Sequence, residues 1–499
     1  MQNISPIKKI VRDTRFYAIA KIVPSFLGFI AIIIYTRILS PEEYGLYILV
    51  ITVVSMVVAT SSEWLNKSIL RYFEKLKKTG ESSKFISTIF GTLFATITVS
   101  LFIWYLGVFL LKDHFNHILL VMLNFGGLMI LTHGTYTFIL SIKQASQKSH
   151  EYTTYSILNA LIKLSIAILL ISLLHFGPKG ILLGMIISSG CLSIYGILTF
   201  YTKYKIKLSN FSKKLFKKFI SYGFPLIGLS LASYVLSSVD RYMIKYFLDT
   251  NEVGIYSANY GLASGMIQPF LVILLLSAYP IIMETFENKG KVETSHLLNK
   301  VLSIYFIILI PVIFGMTILS KNISNIFLGQ SFQSGYIILP LIALSTTLFG
   351  LTQYLYKPFE IMEKTKTLSI LVFCAAIINI ILNLFFIPKF GILGAAYATL
   401  ISYGCYLTGT YLMSRKIFPL QLPWKTIIKS IIASVFMCLV LYLVFPTHKT
   451  INILALTLKA LIGVICYSII IFLLKEKDAL FGLSYTLKRF KKCYHLKNK

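Results

Sequence analysis

Fourteen separate stretches of about 20 apolar residues run through the chain, each long enough to cross roughly 30 Å of hydrocarbon at 1.5 Å per helical residue. They cover residues 15–36, 44–63, 85–111, 118–142, 152–174, 180–201, 219–239, 253–282, 301–319, 336–356, 368–387, 392–413, 426–445 and 451–474. A backbone held in hydrocarbon must satisfy its hydrogen bonds internally. The expected fold class is therefore an all-α polytopic membrane protein with about 14 transmembrane helices.

Charge gives the chain an orientation. Of the 48 lysines and arginines, 36 fall at the termini and in alternate loops, 8 in the other loops and 4 inside helices. Positive charge gathers on the cytoplasmic side of a membrane protein, so both termini are expected there, in a multi-pass protein of the cytoplasmic membrane. A net charge of +30 would suggest nucleic acid in a soluble chain. Lying between apolar segments, it instead sets topology and meets anionic lipid, and no nucleic-acid partner is expected. The outer loops are short and leave no room for an external catalytic domain. The six cysteines form no disulfide or zinc framework: five lie within apolar segments and Cys493 in a basic tail.

Two internal echoes divide the chain. Glu43-Tyr-Gly-Leu-Tyr47 is matched by Glu252-Val-Gly-Ile-Tyr256, and the PKGILLG from Pro178 by the PKFGILG from Pro388. Both pairs recur after six helices, in the same orientation. The expected organisation is an N-terminal lobe over 1–201, a basic cytoplasmic linker over 202–218 and a parallel C-terminal lobe over 219–413. Two appended helices over 414–474 and a basic cytoplasmic tail over 475–499 complete it. Parallel repeats usually enclose a central cavity. Pro388 to Gly391 reads as the short turn between the eleventh and twelfth helices, and the tail reads as an interfacial helix or a purely topological signal.

The region 379–404, with Phe359-Glu-Ile-Met-Glu-Lys-Thr-Lys-Thr367 upstream, resembles the polysaccharide flippases of the multidrug/oligosaccharidyl-lipid/polysaccharide exporter superfamily, which export O-antigen or capsule repeat units. Further matching pieces are Gly223-Phe-Pro-Leu-Ile227, Asp240-Arg-Tyr-Met-Ile244, Gly254-Ile-Tyr-Ser-Ala258, Phe327-Leu-Gly-Gln-Ser-Phe332 and the stretch from Tyr35 to Tyr47. The resemblance implies a non-enzymatic transporter whose two six-helix lobes alternate between inward-open and outward-open states. Its ligand would be a polyprenyl-diphosphate-linked oligosaccharide, with membrane lipids and the polysaccharide polymerase machinery as further partners. No cofactor is implied, and the driving ion gradient is unassigned.

Several residues are candidates for that work. Lys163 lies near the middle of its helix, where a lysine reach of about 6 Å is too short for snorkelling. A lipid-facing charge there costs about 2.5 kcal/mol or more, so a water-filled cavity is expected, where Lys163 meets a diphosphate or acidic sugar with Asn159 one turn away. The bland reading is a helix placed off-centre. Lys21 is a second cavity charge or a snorkelled anchor. Arg71, with Lys67, greets an anionic headgroup at the cytoplasmic end of the second helix or serves topology alone. Asp240 and Arg241 form a gate contact or, more simply, a structural anchor. Gln268 and Pro269 mark a bend suited to a rocking lobe, with Pro24 and Pro311 as similar points. Asn379 and Asn383, on one face of their helix, bind sugar hydroxyls or, more simply, hydrogen-bond between helices, and Lys429 and Lys459 are expected to anchor helix ends.

None of the eighteen acids lies deep within an expected helix, with Glu63, Asp240 and Glu360 at ends. That favours an anionic cargo over a cationic drug. The alternatives are a peptidoglycan lipid-precursor flippase and a multidrug or cation antiporter of the same superfamily. A repeat-unit polymerase or glycosyltransferase is a third, disfavoured by the short outer loops, and no phosphate-binding loop or HExxH motif suggests an ATPase or metallohydrolase.

Overall fold

The structure is a computed structural model that describes residues 6–79, 81–204, 207–362, 364–444 and 452–476. Its helices are α1 (Pro6–Ile38), α2 (Pro41–Val58), α3 (Trp64–Lys78), α4 (Ser82–Leu111), α5 (His117–Ala145), α6 (Ser149–Ser172), α7 (Pro178–Tyr204) and α8 (Lys213–Phe247). There follow α9 (Thr250–Phe327), α10 (Leu339–Leu355), α11 (Lys357–Ile361), α12 (Thr365–Phe390), α13 (Ile392–Arg415), α14 (Trp424–Val444) and α15 (Ile453–Leu473). The basic tail lies outside the described residues from 477 onward.

Among the described residues twelve helical runs are long and apolar enough to cross a membrane. The expected fourteen differ from these at two places. α9 runs for 78 residues, about 117 Å, far beyond one crossing. It leaves helical geometry at Gly290 (φ 76°, ψ −166°), between the expected spans 253–282 and 301–319. The other place is α13, which matches the expected 392–413 as a helix, but whose glycines, hydroxyl residues and tyrosines hold its hydropathy below that of the twelve.

The chain forms two compact units, Met1–Ala258 with Val372–Ala395, and Asn259–Leu371 with Ala396–Lys499. In the first, the second helix does not stop at residue 63. α2 passes through a π-helical turn at Ala59–Glu63 into α3, giving one 38-residue run from Pro41 to Lys78. α3 is strongly amphipathic. Its Trp64, Leu65, Ile69, Phe73 and Leu76, at helical spacing, are buried in a core with Phe85, Phe138 and Phe219. Hydropathy fades at residue 63 because α3 is apolar on one face only, while its helix continues. Arg71 consequently stands within α3 rather than at a helix end.

The linker is tied down. The Lys207 and Ser212 amides donate to Ser87 Oγ (3.2 Å) and Thr88 Oγ1 (3.0 Å) on α4, and the Phe211 ring packs where Gly91 has no side chain.

Residues 209 apart share local geometry at two helix starts. Ser40 caps α2 by accepting from the Glu43 amide, and Glu43 returns a carboxylate to the Ser40 amide at 2.9 Å. At the start of α9, 209 residues on, Asp249 Oδ1 accepts from the Glu252 amide at 2.8 Å. The glycines of the two matched motifs meet each other's helix starts. A Cβ on Gly45 would lie 2.1 Å from the Thr250 carbonyl oxygen, and one on Gly254 would lie 1.9 Å from that of Pro41. Thr250 and Pro41 are themselves 209 apart, so this clasp is self-complementary, as in a two-fold contact.

A third pair of matched features differs from expectation. α12 continues through Pro388 to Phe390, and the turn is Gly391 alone, at φ 57°. Near a helix end proline costs one backbone bond and need not end the helix. In the first copy Gly177, also at φ 57°, and His175, at φ 52°, are left-handed, and Pro178 takes the first position of α7.

In the second unit, polar side chains of α9 donate to carbonyls of the elements that follow it. Asn259 Nδ2 donates to Phe332 O at 2.8 Å and Tyr305 Oη to Thr347 O at 2.5 Å. Tyr467 of α15 donates to Ile307 O at 2.8 Å, seating the appended pair on α9.

Candidate polar site in the first unit

Hydroxyls and amides from the π-turn, α5, α6 and α7 make a belt through the first unit. Ser62 Oγ lies 3.0 Å from where a Cβ of Gly134 would be. Ser189 Oγ donates to Thr132 Oγ1 at 3.0 Å, and Ser193 Oγ to the Thr132 carbonyl at 3.1 Å. Ser188 Oγ reaches both the carbonyl (2.8 Å) and the Oδ1 (3.0 Å) of Asn159. Small hydroxyl residues suit this task, because they let helices approach while satisfying polar atoms away from water.

Lys163 stands one turn beyond Asn159 and is half-buried. Its carbonyl abuts α7 where Gly184 has no side chain: a Cβ there would be 2.9 Å away. Among the described residues no carboxylate pairs with Lys163. His133, next to Thr132, stacks on Tyr136 with ring centroids 6.0 Å apart and lies within electrostatic reach of Lys163. With no acid paired to it among the described residues, Lys163 is the group at this end of the belt that an anion would meet.

The remaining candidates are dispersed. Asn159 faces α7 and is held there by Ser188, which makes it a helix-packing group as well as a neighbour of Lys163. Its Nδ2 is buried near the Tyr136 hydroxyl. Lys21 is exposed on α1, and no bond joins it to Lys163. Arg71 is exposed and lies over the Tyr222 ring of α8 at 4.3 Å. Asp240, only 3% exposed, accepts from the Arg241 amide (2.9 Å) and guanidinium (3.2 Å) and from Tyr256 Oη (2.6 Å). Arg241 also donates to Ser237 O at 2.7 Å. This network joins α8 to the start of α9. Gln268 and Pro269 lie in the second unit, where α9 continues as helix through both and breaks at Gly290 instead. Asn379 and Asn383 are buried and bond to each other along α12, with Asn383 Nδ2 donating to Asn379 O at 2.9 Å, where bonds between helices were expected. Lys459, expected near a helix end, is buried within α15.

Acids are not confined to helix ends. Glu63 lies well inside the 38-residue run and within electrostatic reach of Tyr234 on α8, and Asp240 is among the most buried charged residues. Glu63 stands at the end of an apolar window and not of a helix, which hid its position. His133 answers to the same rule that singles out Lys163, an ionisable side chain well inside an apolar span, and that rule finds it without a structure.

Residues 10–286, more than half of the chain, match the family described as polysaccharide biosynthesis protein. An uncharacterised membrane protein of Methanocaldococcus jannaschii is 21% identical over 79% of this chain and 82% of its own length. A putative O-antigen transporter of Shigella flexneri is 26% identical over 40% of this chain and 48% of its own. Among solved structures, an inward closed conformation of the lipid II flippase MurJ superposes with a TM-score of 0.72 at 20% identity, over 91% of this chain and 97% of that one.

Proposed function

Because the chain belongs to the polysaccharide biosynthesis protein family, we propose that it is a flippase that carries polyprenyl-diphosphate-linked oligosaccharide repeat units across the cytoplasmic membrane for surface polysaccharide export. Coarsely, this is the transport of a lipid-linked glycan by a multi-span membrane protein, without covalent chemistry. The observation that carries the reading is Lys163: a half-buried lysine within an apolar span, within electrostatic reach of His133 and without a carboxylate partner among the described residues. A diphosphate leaving water loses a large hydration energy, and fixed positive charge in a polar, partly dry site offsets it.

Alternating access needs ends that open and close. In this reading the lobes are helices 1–6 and 7–12, the termini are cytoplasmic, and the Gly45–Gly254 clasp is the outer closure. Backbone packed on backbone without side chains separates without unpairing any charge, which suits a contact made and broken in each cycle. Arg71 over Tyr222 is the candidate inner contact for an arriving anionic head. Asp240 and Arg241 hold α8 to α9 and act as structure.

The test is leaflet accessibility of a labelled polyprenyl-diphosphate oligosaccharide in proteoliposomes, comparing the parent with Lys163→Ala at equal reconstitution. Transfer by the parent that falls at least about tenfold in a folded Lys163→Ala protein is expected. Transfer unchanged in the variant removes Lys163 from the mechanism, and no transfer by the parent under any ion gradient removes the flippase reading.

A further inference from the structure

Where α5 ends and α6 begins, against the last turns of α7, there is a cavity of about 550 Å³ that the transport reading does not use. Lys143 forms part of its wall and is only 3% exposed. Its Nζ donates to Glu151 at 2.7 Å and lies 4.0 Å from the Tyr155 ring centroid and 5.5 Å from that of Phe200. Lys148 pairs with the same carboxylate. Two ammonium groups on one carboxylate leave one positive charge uncompensated at the cavity. The Tyr155 side chain, 6% exposed, also lines it, with Thr199 beside its hydroxyl. Lys148, at the N-cap of α6, makes no side-chain cap, so the partial positive charge of the helix start adds to the field.

An apolar rail leads away from this charged end. Leu158 and Leu161 on α6 and Tyr195 and Leu198 on α7 are all exposed; Leu158 and Tyr195 start at the cavity, and Leu161 reaches the middle of its span. We propose that the cavity binds the headgroup of an anionic phospholipid, its phosphodiester on Lys148 with Lys143 behind it and its acyl chains along the α6–α7 rail. One surplus positive charge matches one phosphodiester. A free anion would have no use for the rail, and a zwitterionic head would bring its own cation to a site that already holds two. The inference is independent of the cargo assigned above.

The second copy supplies a control. Lys357 and Glu360, 209 residues after Lys148 and Glu151, pair at 2.6 Å, but the position matching Lys143 is Thr352. One lysine on one carboxylate has no surplus charge.

The experiment places an indole on the rail with Tyr195→Trp in the full chain, reconstituted in vesicles with dibrominated phosphatidylglycerol or dibrominated phosphatidylcholine. Quenching is measured above that of the parent's three tryptophans. A lysine near the surface attracts an anionic lipid by about fivefold in local concentration, so a preference of that order for the glycerol lipid is expected. Lys148→Gln should remove it and Lys357→Gln should not. Equal quenching by the two lipids, or a preference indifferent to Lys148→Gln, overturns the proposal. Retention of the preference when an equimolar polyprenyl diphosphate is added supports the phospholipid, and its loss assigns the site to a diphosphate lipid instead.

Discussion

The two copies of the repeat keep the same scaffold and differ in their polar interior. Ser40 with Glu43 and Asp249 with Glu252 cap matching helices, Lys148–Glu151 and Lys357–Glu360 pair at the same spacing, and Gly177 and Gly391 make the matching turns. At the offset of 209 or 210, however, His133 corresponds to Ile342, Lys143 to Thr352, Lys163 to Val372 or Phe373, and Ser188 to Ala398. What duplication preserved is what closes and positions helices. What diverged is ionisable or hydroxyl-bearing in the first copy and mostly apolar in the second, so under the proposed function recognition of an anion would fall to one copy and motion to both.

The clasp offers the largest effect. A methyl group on Gly254 would need the space of the Pro41 carbonyl, and overpacking of backbone on backbone costs about 1–3 kcal/mol or forces the ends apart. Gly254→Ala and Gly45→Ala should each abolish measurable transport. Both should also raise thiol labelling of Tyr44→Cys, in a chain with its six native cysteines replaced by serine. Because both glycines serve one contact, the double variant should add little to either single one. A harmless change at one glycine beside a severe change at the other would break the symmetry of the clasp.

Next comes the asymmetry itself. Lys163→Ala should reduce transport at least about tenfold, and Lys163→Arg should restore part of it because the charge is kept. Phe373→Ala, at the matching place, should change transport less than about threefold, since scattered exposed apolar groups carry little specific energy. Similar losses at both positions would mean that the two copies share the cargo equally.

Much of this was legible in the sequence, for reasons that differ by element. The spans are legible because hydrocarbon imposes length and hydropathy on every crossing helix, and Lys163 because a charge in such a span has few places to go. The α3 continuation of the second helix was not, since an amphipathic helix that covers a core with one face looks like a basic loop to a hydropathy window. Glu63 was hidden with it. The pairing of Asn379 with Asn383 along a single helix, and the passage of α12 through Pro388, depend on tertiary surroundings that no local pattern encodes. The meeting of Gly45 with Gly254 is of the same kind: two motif copies were visible, but not that each is the other's partner.

A smaller effect is expected at the paired carboxylates. Glu151→Gln leaves Lys148 and the buried Lys143 without a counter-charge, whereas Glu360→Gln strands Lys357 alone, between the Tyr279 and Tyr356 rings at 4.7 and 4.9 Å. Both carboxylates are near 40% exposed, which screens the loss to about 1–2 kcal/mol for Glu151 and about 1 kcal/mol for Glu360. Thermal unfolding in detergent should rank them in that order. The reverse order would mean that the rings beside Lys143, at 4.0 and 5.5 Å, compensate it better than those beside Lys357.

The smallest effect should be equal in the two copies, and that equality is its value. Ser40 and Asp249 each accept one amide hydrogen bond at a helix start, and an N-cap replaced by alanine costs about 1 kcal/mol. Ser40→Ala and Asp249→Ala should therefore lower the unfolding midpoint by similar amounts and leave transport per folded molecule unchanged. Asp249 carries a charge that favours the positive end of its helix, which adds a few tenths of a kcal/mol at most near an exposed terminus. If Asp249→Ala instead removed transport while Ser40→Ala did not, the cap in the second copy would be part of the moving contact, and the separation between a shared scaffold and a one-sided polar site would fail at that helix start.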